Sequence, residues 1–213
     1  MLSKEQITAA LSPFQITPTS EQISMVREYL TLLLKWNRAL SLTSIDDPVE
    51  IIARHFGESM FATTLLPVEK CRLADVGTGA GFPGLAMKIL CPTMHLVLVE
   101  SNKKKCVFLS EVVRALGFTD VEVLAARFED IPSNQPSLDL RFDYVTARAL
   151  GGHRELLRDA KKRLLPRGHI ILWLGGEDVT LISANQEWIW QPATRIPESQ
   201  RRFILIGRPR FLG

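Results

Sequence analysis

Apolar positions change their spacing near residue 67. Before it they recur every three or four residues, the period of a helix with one buried stripe. Ser3 is placed to cap a helix from Lys4, and Ser20 another carrying Met25, Tyr29, Leu32, Leu33 and Trp36 on one side. Asp47-Pro48 opens a third, with Ile51, Ile52, Phe56 and Phe61 along it, and Pro67 ends it. Beyond residue 70, short apolar runs alternate with longer amphipathic ones. Strands are predicted at 72–76, 95–99, 121–125, 142–147 and 169–174, with helices at about 83–91, 103–116 and 152–164. Such alternation predicts an α/β fold, a mostly parallel doubly wound sheet with right-handed crossovers. After Gly175-Gly176 the alternation stops, and 186–191 and 201–207 read as an antiparallel hairpin that finishes the sheet. The expected organisation is a helical extension over residues 1–66, packed on the core or covering its ligand site, and one globular α/β unit over 67–213.

The predicted strand tails collect the polar residues: Asp75, Glu100, Phe128-Glu129 and Arg148. In open α/β sheets the ligand crevice lies at the carboxyl ends of the strands. The first tail runs into Asp75-Val-Gly-Thr-Gly-Ala-Gly-Phe-Pro-Gly84, between a strand and a helix. Glycines there let backbone approach a ligand, and the helix that follows offers unpaired N–H groups. Two cofactors fit. Gly79-x-Gly81-x-x-Gly84 has the dinucleotide spacing. Asp75-x-Gly77-x-Gly79-x-Gly81 resembles the loop of S-adenosylmethionine-dependent methyltransferases. A carboxylate at Asp75 suits a ligand with ammonium and sulfonium charges and would repel a pyrophosphate. Glu100 can accept both ribose hydroxyls with either cofactor. Phe128 and Glu129 are placed to flank an adenine, although packing alone would also explain Phe128.

Composition narrows the class further. The 213 residues are 46% hydrophobic, enough for a sizeable core, and no apolar run approaches the ~20 residues a membrane span needs. The first residues lack the apolar core of a signal peptide, so a cytoplasmic protein is expected. Cys71, Cys91 and Cys106 are widely spaced, which argues against a disulfide frame or a zinc site, and Cys71 and Cys106 read as core. His55 and Glu58, three apart, make too small a set to hold a metal. The net charge of +3 is unevenly spread. Arg154, Arg158, Lys161, Lys162, Arg163 and Arg167 crowd one helix, and Arg195, Arg201, Arg202, Arg208 and Arg210 the tail. Basic patches on a balanced chain point to a polyanionic partner.

One family brings these motifs together. Trp36-Asn37, Leu42-Thr43, Arg54-His55, the glycine loop, Glu100-Ser101-x-x-Lys104-x-x-Phe108-Leu109, Arg127-x-Glu129 and Ala147-Arg148-Ala149 occur in order. The chain resembles the bacterial small-subunit ribosomal RNA methyltransferase G family, also called glucose-inhibited division protein B, over roughly 25–207. The resemblance implies a Rossmann-like class I fold and transfer from S-adenosyl-L-methionine to N7 of a guanine in 16S ribosomal RNA, near the decoding site. It places cofactor contacts at Asp75, Gly77, Gly79, Phe82, Glu100, Ser101, Asn102, Phe128, Glu129 and Arg148. The partner it implies is 16S RNA or the small ribosomal subunit, with the protein a monomer lacking an obligate protein partner. The chain departs from the family at Ser41, where asparagine is usual, and at Glu58, where aspartate is.

Missing motifs agree with that chemistry. A 5-methylcytosine enzyme needs a cysteine nucleophile, and the fourth strand tail, Thr146-Ala-Arg148, has none. Amino-group methylases resemble one another in an Asn/Asp-Pro-Pro-aromatic stretch that this chain lacks there. Guanine N7 needs no general base, only positioning and electrostatics. Arg148 is placed to orient the cofactor carboxylate or bond guanine O6, and ion pairing to Asp143 or Glu129 is its structural alternative. Lys103, Lys104 and Lys105, the helix with Arg154 and Arg158, and Arg201 and Arg202 form an expected phosphate track. A small-molecule methyltransferase and a non-catalytic RNA-binding protein remain as other classes. A nicotinamide oxidoreductase is disfavoured by chain length and by Asp75.

Overall fold

The computed structural model describes residues 2–68, 70–131, 140–148 and 151–210. Helix α1 (Lys4–Leu11) starts as predicted: Ser3 accepts from the Gln6 amide, and the Gln6 side chain accepts from the Ser3 amide. Helix α2 (Ser20–Leu40) is capped by Thr19 rather than Ser20, because Thr19 is extended and has Gln22 at the third helical position to complete the box. Ser20 instead accepts from Lys4 Nζ. Asp47 caps the third helix through the Glu50 amide. That helix changes pitch along its length. It runs as α3 (Pro48–Ile51), a π-helix at Ile52–Gly57, α4 (Glu58–Met60) and a 3-10 turn at Phe61–Thr64. It ends before Pro67. π-turns favour functional places, and this one carries Arg54 and His55.

The α/β part contains strands β1 (Arg72–Val76), β2 (His95–Val99), β3 (Val121–Leu124), β4 (Phe142–Arg148), β5 (Leu164–Gly175), β6 (Trp188–Trp190), β7 (Thr194–Arg195) and β8 (Arg202–Pro209). Helices α5 (Gly84–Leu90), α6 (Lys103–Ala115), α7 (His153–Arg163) and α8 (Gly176–Ser183) lie between them. The sheet order is β3-β2-β1-β4-β5-β8-β6, and the first five strands are parallel. The predicted end of the sheet needs one correction and one addition. The double glycine that looked like a break is followed by α8, and the predicted antiparallel pair, β6 with β8, joins the parallel sheet through β5 and gains the short β7 on β8. β5 also begins at Leu164, earlier than expected, since Leu164 pairs with Phe142.

Strand residues alternate between two cores, as a pleat requires. Leu73, Leu96, Leu98, Ile171 and Ile204 face the N-terminal helices and α5 and α6, in one cluster reaching from Ile7 to Ile206. Ala74, Val76, Val97, Val99, Val145 and Leu172 face the opposite side, with Leu156, Ile182 and Trp188. Both faces are covered, so the strands read as unbroken apolar runs. Cys71, Cys91 and Cys106 are all buried. Among the described residues no helix is long and apolar enough to cross a membrane.

Candidate active site

Strand β1 pairs with β2 on one side and β4 on the other, so the strand order reverses there, at the carboxyl end of β1. That reversal opens the crevice in which the glycine loop lies. Asp75 is fully buried beneath the loop and accepts from Thr78 Oγ1 (2.6 Å), the Gly84 amide (2.8 Å) and Thr146 Oγ1 (3.0 Å). Burial pushes its carboxyl up to about 6, and those hydrogen bonds and the charge of Arg148 pull the other way. The sequence set Asp75 against the ligand; the structure gives it reach only through the loop it holds. Gly84 passes so close to that carboxylate that a Cβ would meet Asp75 Oδ2 at 2.8 Å. Gly81 adopts φ 91°, and a Cβ on it would strike Tyr29 Oη, Leu85 and Leu109.

The N-terminal helices brace this loop from outside. The buried Tyr29 hydroxyl donates to the Ala80 carbonyl. Phe82 stacks between Tyr29 (centroids 5.2 Å) and His55 (5.0 Å), with Phe56 edge-on. Its side chain is therefore spent on packing, and Phe82 contributes loop shape to a ligand site. His55 Nε2 lies 2.7 Å from Thr43 Oγ1. Asn37 holds Thr43 by accepting from its amide and donating to its carbonyl. Burial, then the charges of Arg148 and Arg54, push His55 down to about 3. Trp36 Nε1 donates to Glu111, joining α2 to α6. These contacts give Trp36-Asn37, Leu42-Thr43 and His55 a common task, which is to fix the layer that supports Phe82.

A cavity of about 360 Å³ opens over the loop, within the range of small-molecule sites. Gly77, Ser101, Phe128 and Glu129 line it, with Arg127, Glu155 and Asp159. The buried Glu100 carboxylate accepts from the Gly79 amide (3.0 Å) through one oxygen and from the Asn102 amide (2.8 Å) through the other. A carboxylate has about four acceptor positions, so capacity for a ribose remains. Asn102 turns its side chain to cap α6, accepting from the Lys104 and Lys105 amides. Sequence reasoning missed Arg163. Read from the sequence as one of a basic cluster, it is buried, donates to the Phe128 and Ile131 carbonyls, and lies 5.2 Å over the Phe128 ring. Its place at the end of an amphipathic helix gave no signal of that.

Arg148 pairs with neither Asp143 nor Glu129. It donates to the Arg54 carbonyl (2.9 Å) and to Glu58 Oε2 (3.1 Å), with Ser59 Oγ at 3.4 Å. Asp143 accepts from the Arg72 amide, and Glu129 sits near Arg127. Glu58, 1% exposed, also binds Arg202 through Nη2 (2.7 Å) and Nε (2.9 Å), with Arg54 Nε at 3.7 Å. Its carbonyl accepts from Trp173 Nε1. Arg54 at i−4 was the one sequence signal for this hub. A second cavity of about 560 Å³ borders it, and Gly151 lines both cavities.

The basic residues divide. Lys103 and Lys104 are exposed and Lys105 half-buried in the first turn of α6. Cations there oppose the helix dipole, so helix stability does not explain them. Arg154 and Arg201 are exposed. Arg158 is exposed but hydrogen-bonded to Asp159, which Lys162 also contacts. Arg202 pairs with Glu58 yet leaves about a third of its side chain exposed, which sets it in the wall of the second cavity. Ala149 of the Ala-Arg-Ala motif lies outside the described residues. Among the described residues no three His, Cys, Asp or Glu side chains are grouped to hold a metal.

Residues 22–192 match the family described as rRNA small subunit methyltransferase G. The chain belongs to this family. A ribosomal RNA small subunit methyltransferase G of Xylella fastidiosa is 45% identical over 188 residues, covering 85% of this chain and 84% of that protein. The relative of the same name from Leuconostoc mesenteroides is 31% identical, covering 96% and 90%. Among solved structures, an Aquifex aeolicus SAM-dependent methyltransferase superposes with a TM-score of 0.63 at 18% identity, covering 78% of this chain and 96% of that one. A ribosomal protein L11 methylase from Lactobacillus delbrueckii gives 0.57 at 18%, covering 75% and 80%. The fold is thus the Rossmann-like class I methyltransferase fold.

Proposed function

We propose that this protein methylates N7 of a guanine in 16S ribosomal RNA near the decoding site, in the cytoplasm. One observation carries the reading: two cavities of different charge adjoin at Gly151. The cofactor cavity is lined by Glu129, Glu155 and Asp159 against Arg127, and its neighbour by Arg54, Arg148 and Arg202 around Glu58. The first suits a cationic cofactor and the second a polyanionic substrate.

When bound, S-adenosyl-L-methionine supplies a methyl group activated by a sulfonium. Gly77 and Gly79 would hold its amino-acid half, Glu100 its ribose hydroxyls, and Phe128 and Glu129 its adenine. The guanine N7 lone pair forms the new N–C bond as the S–C bond breaks, and the positive charge passes to the guanine ring. No proton has to leave. The chain is built accordingly: Asp75 is taken up by three hydrogen bonds, and His55 is held neutral against Thr43. Cys106 is buried, donates to the Glu100 carbonyl, and has its thiol pKa raised by burial, so it is no nucleophile.

Incubation with radiolabelled S-adenosyl-L-methionine and small ribosomal subunits from cells lacking the modification should place label on one guanine N7. Cofactor binding without that label would favour a small-molecule substrate. RNA binding without cofactor binding would favour a non-catalytic role.

A further inference from the structure

The second cavity holds more positive charge than its own structure uses. Three guanidiniums meet one buried carboxylate, and they differ in commitment. Arg148 is 15% exposed and engaged by Arg54 O, Glu58 and Ser59. Arg54 and Arg202 are freer. Arg54 keeps 39% of its side chain exposed and reaches Glu50 in an exposed pair of small energetic value, while its buried Nε lies 3.7 Å from Glu58. Arg202 leaves about a third of its side chain in the cavity mouth. Asp178, from the first turn of α8, also lines this cavity, and its carboxylate makes no ion pair or hydrogen bond with another described residue. A wall with two available guanidiniums and a lone carboxylate, beside the methyl-donor cleft, has the polarity of one nucleotide.

We propose that this cavity receives the target nucleotide, with its phosphate on Arg54 and Arg202 and the Watson–Crick edge of the guanine on Asp178. The proposal rests on the methyl-transfer reading above. Guanine presents N1–H and N2–H side by side, and one carboxylate accepts both. The N7 edge then stays free to face the cleft that begins at Gly151. Adenine would turn its N1 lone pair on the carboxylate, so Asp178 selects guanine by repulsion as well as by bonding. About 560 Å³ holds a nucleotide turned out of a single-stranded loop, the usual form of sequence-specific RNA targets.

The test uses the full chain, S-adenosyl-L-methionine, and small ribosomal subunits with either guanine or adenine at the labelled position. Asp178→Asn carries an amide that pairs with adenine as readily as with guanine. It should shrink the guanine-to-adenine preference in kcat/KM by at least about tenfold, the worth of one charge-assisted contact. Arg54→Gln should raise KM for subunits about tenfold with kcat nearly unchanged, and Arg54→Lys should recover part of it. Cofactor Kd should not move in any of them. Wild-type preference and KM in both variants would overturn the cavity assignment while labelled wild-type reactions kept the methyl-transfer reading. Cofactor Kd rising in step with the rate loss would also overturn it, because the residues would then be structural. If the wild type itself transfers no label to subunits, the methyl-transfer reading fails first and the inference falls with it.

Discussion

Acidification should weaken this protein through His55, and the size of the effect follows from where the ring sits. Its Nε2 is 2.7 Å from Thr43 Oγ1, one face stacks on Phe82, and Arg148 and Arg54 oppose a positive charge. Burial is the largest cause, and together these push the folded pKa from 6.5 to about 3. Below 6.5 the unfolded chain takes up a proton that the folded one refuses. Stability from this group is therefore complete above pH 6.5 and is lost as pH falls through the window down to about 3. At about 1.4 kcal/mol per pH unit, the loss between pH 7.5 and 5 is about 2 kcal/mol. Asp75 acts in the opposite direction. Its folded pKa is raised from 3.8 to about 6, so its ionisation costs stability at neutral pH and acidification relieves that cost. A raw pH profile mixes the two, and a difference isolates His55. Urea unfolding of wild type and His55→Gln at pH 7.5 and 5 should show the variant less stable at pH 7.5, with a gap that shrinks by about 2 kcal/mol at pH 5. A gap that changes by less than about 0.5 kcal/mol would refute the claim that His55 is kept neutral by burial.

Three further outcomes are expected. Gly81→Ala should cost about 2 kcal/mol or more and abolish cofactor binding by calorimetry, since a Cβ at φ 91° meets Tyr29, Leu85 and Leu109 together. Arg163→Met should raise the cofactor Kd about tenfold, because the Phe128 and Ile131 carbonyls beside the first cavity lose their donor; an unchanged Kd would mean that this segment stands without it. Replacing Lys103, Lys104 and Lys105 with glutamine should flatten the dependence of log K for RNA on log salt by about 2. An unaltered slope would take that turn of α6 out of the RNA footprint.

The parallel half of the fold was readable because its signals are local. Strands β1 and β2 fell where the apolar runs and flanking turns put them, and Gly77, Ser101 and Phe128, from the segments that follow β1, β2 and β3, line one cavity. The partners of those tails were not readable. Asp75 is satisfied partly by Thr146, 71 positions away on the neighbouring strand, and such register comes from pairing rather than spacing. Arg202 looked like surface because arginine in a polar tail usually is, yet β8 brings it back to Glu58. Helix α8 was hidden by two glycines that read as a break. In each case a long-range contact outweighed a correct local rule.

The Glu58 hub has a consequence for how the chain is made. Its two closest arginines lie 90 and 144 positions downstream, at the end of β4 and the start of β8. A chain synthesised from its N-terminus can stack the first helices on the glycine loop long before Arg202 has left the ribosome. Until it does, Glu58 has only its neighbour Arg54 and then Arg148 for company, and the arginine-walled cavity has one side missing. The wall around Glu58 can therefore close only after β8 has been made. A nascent chain halted before β8 should leave the Glu58 carboxylate without its contacts from Arg202.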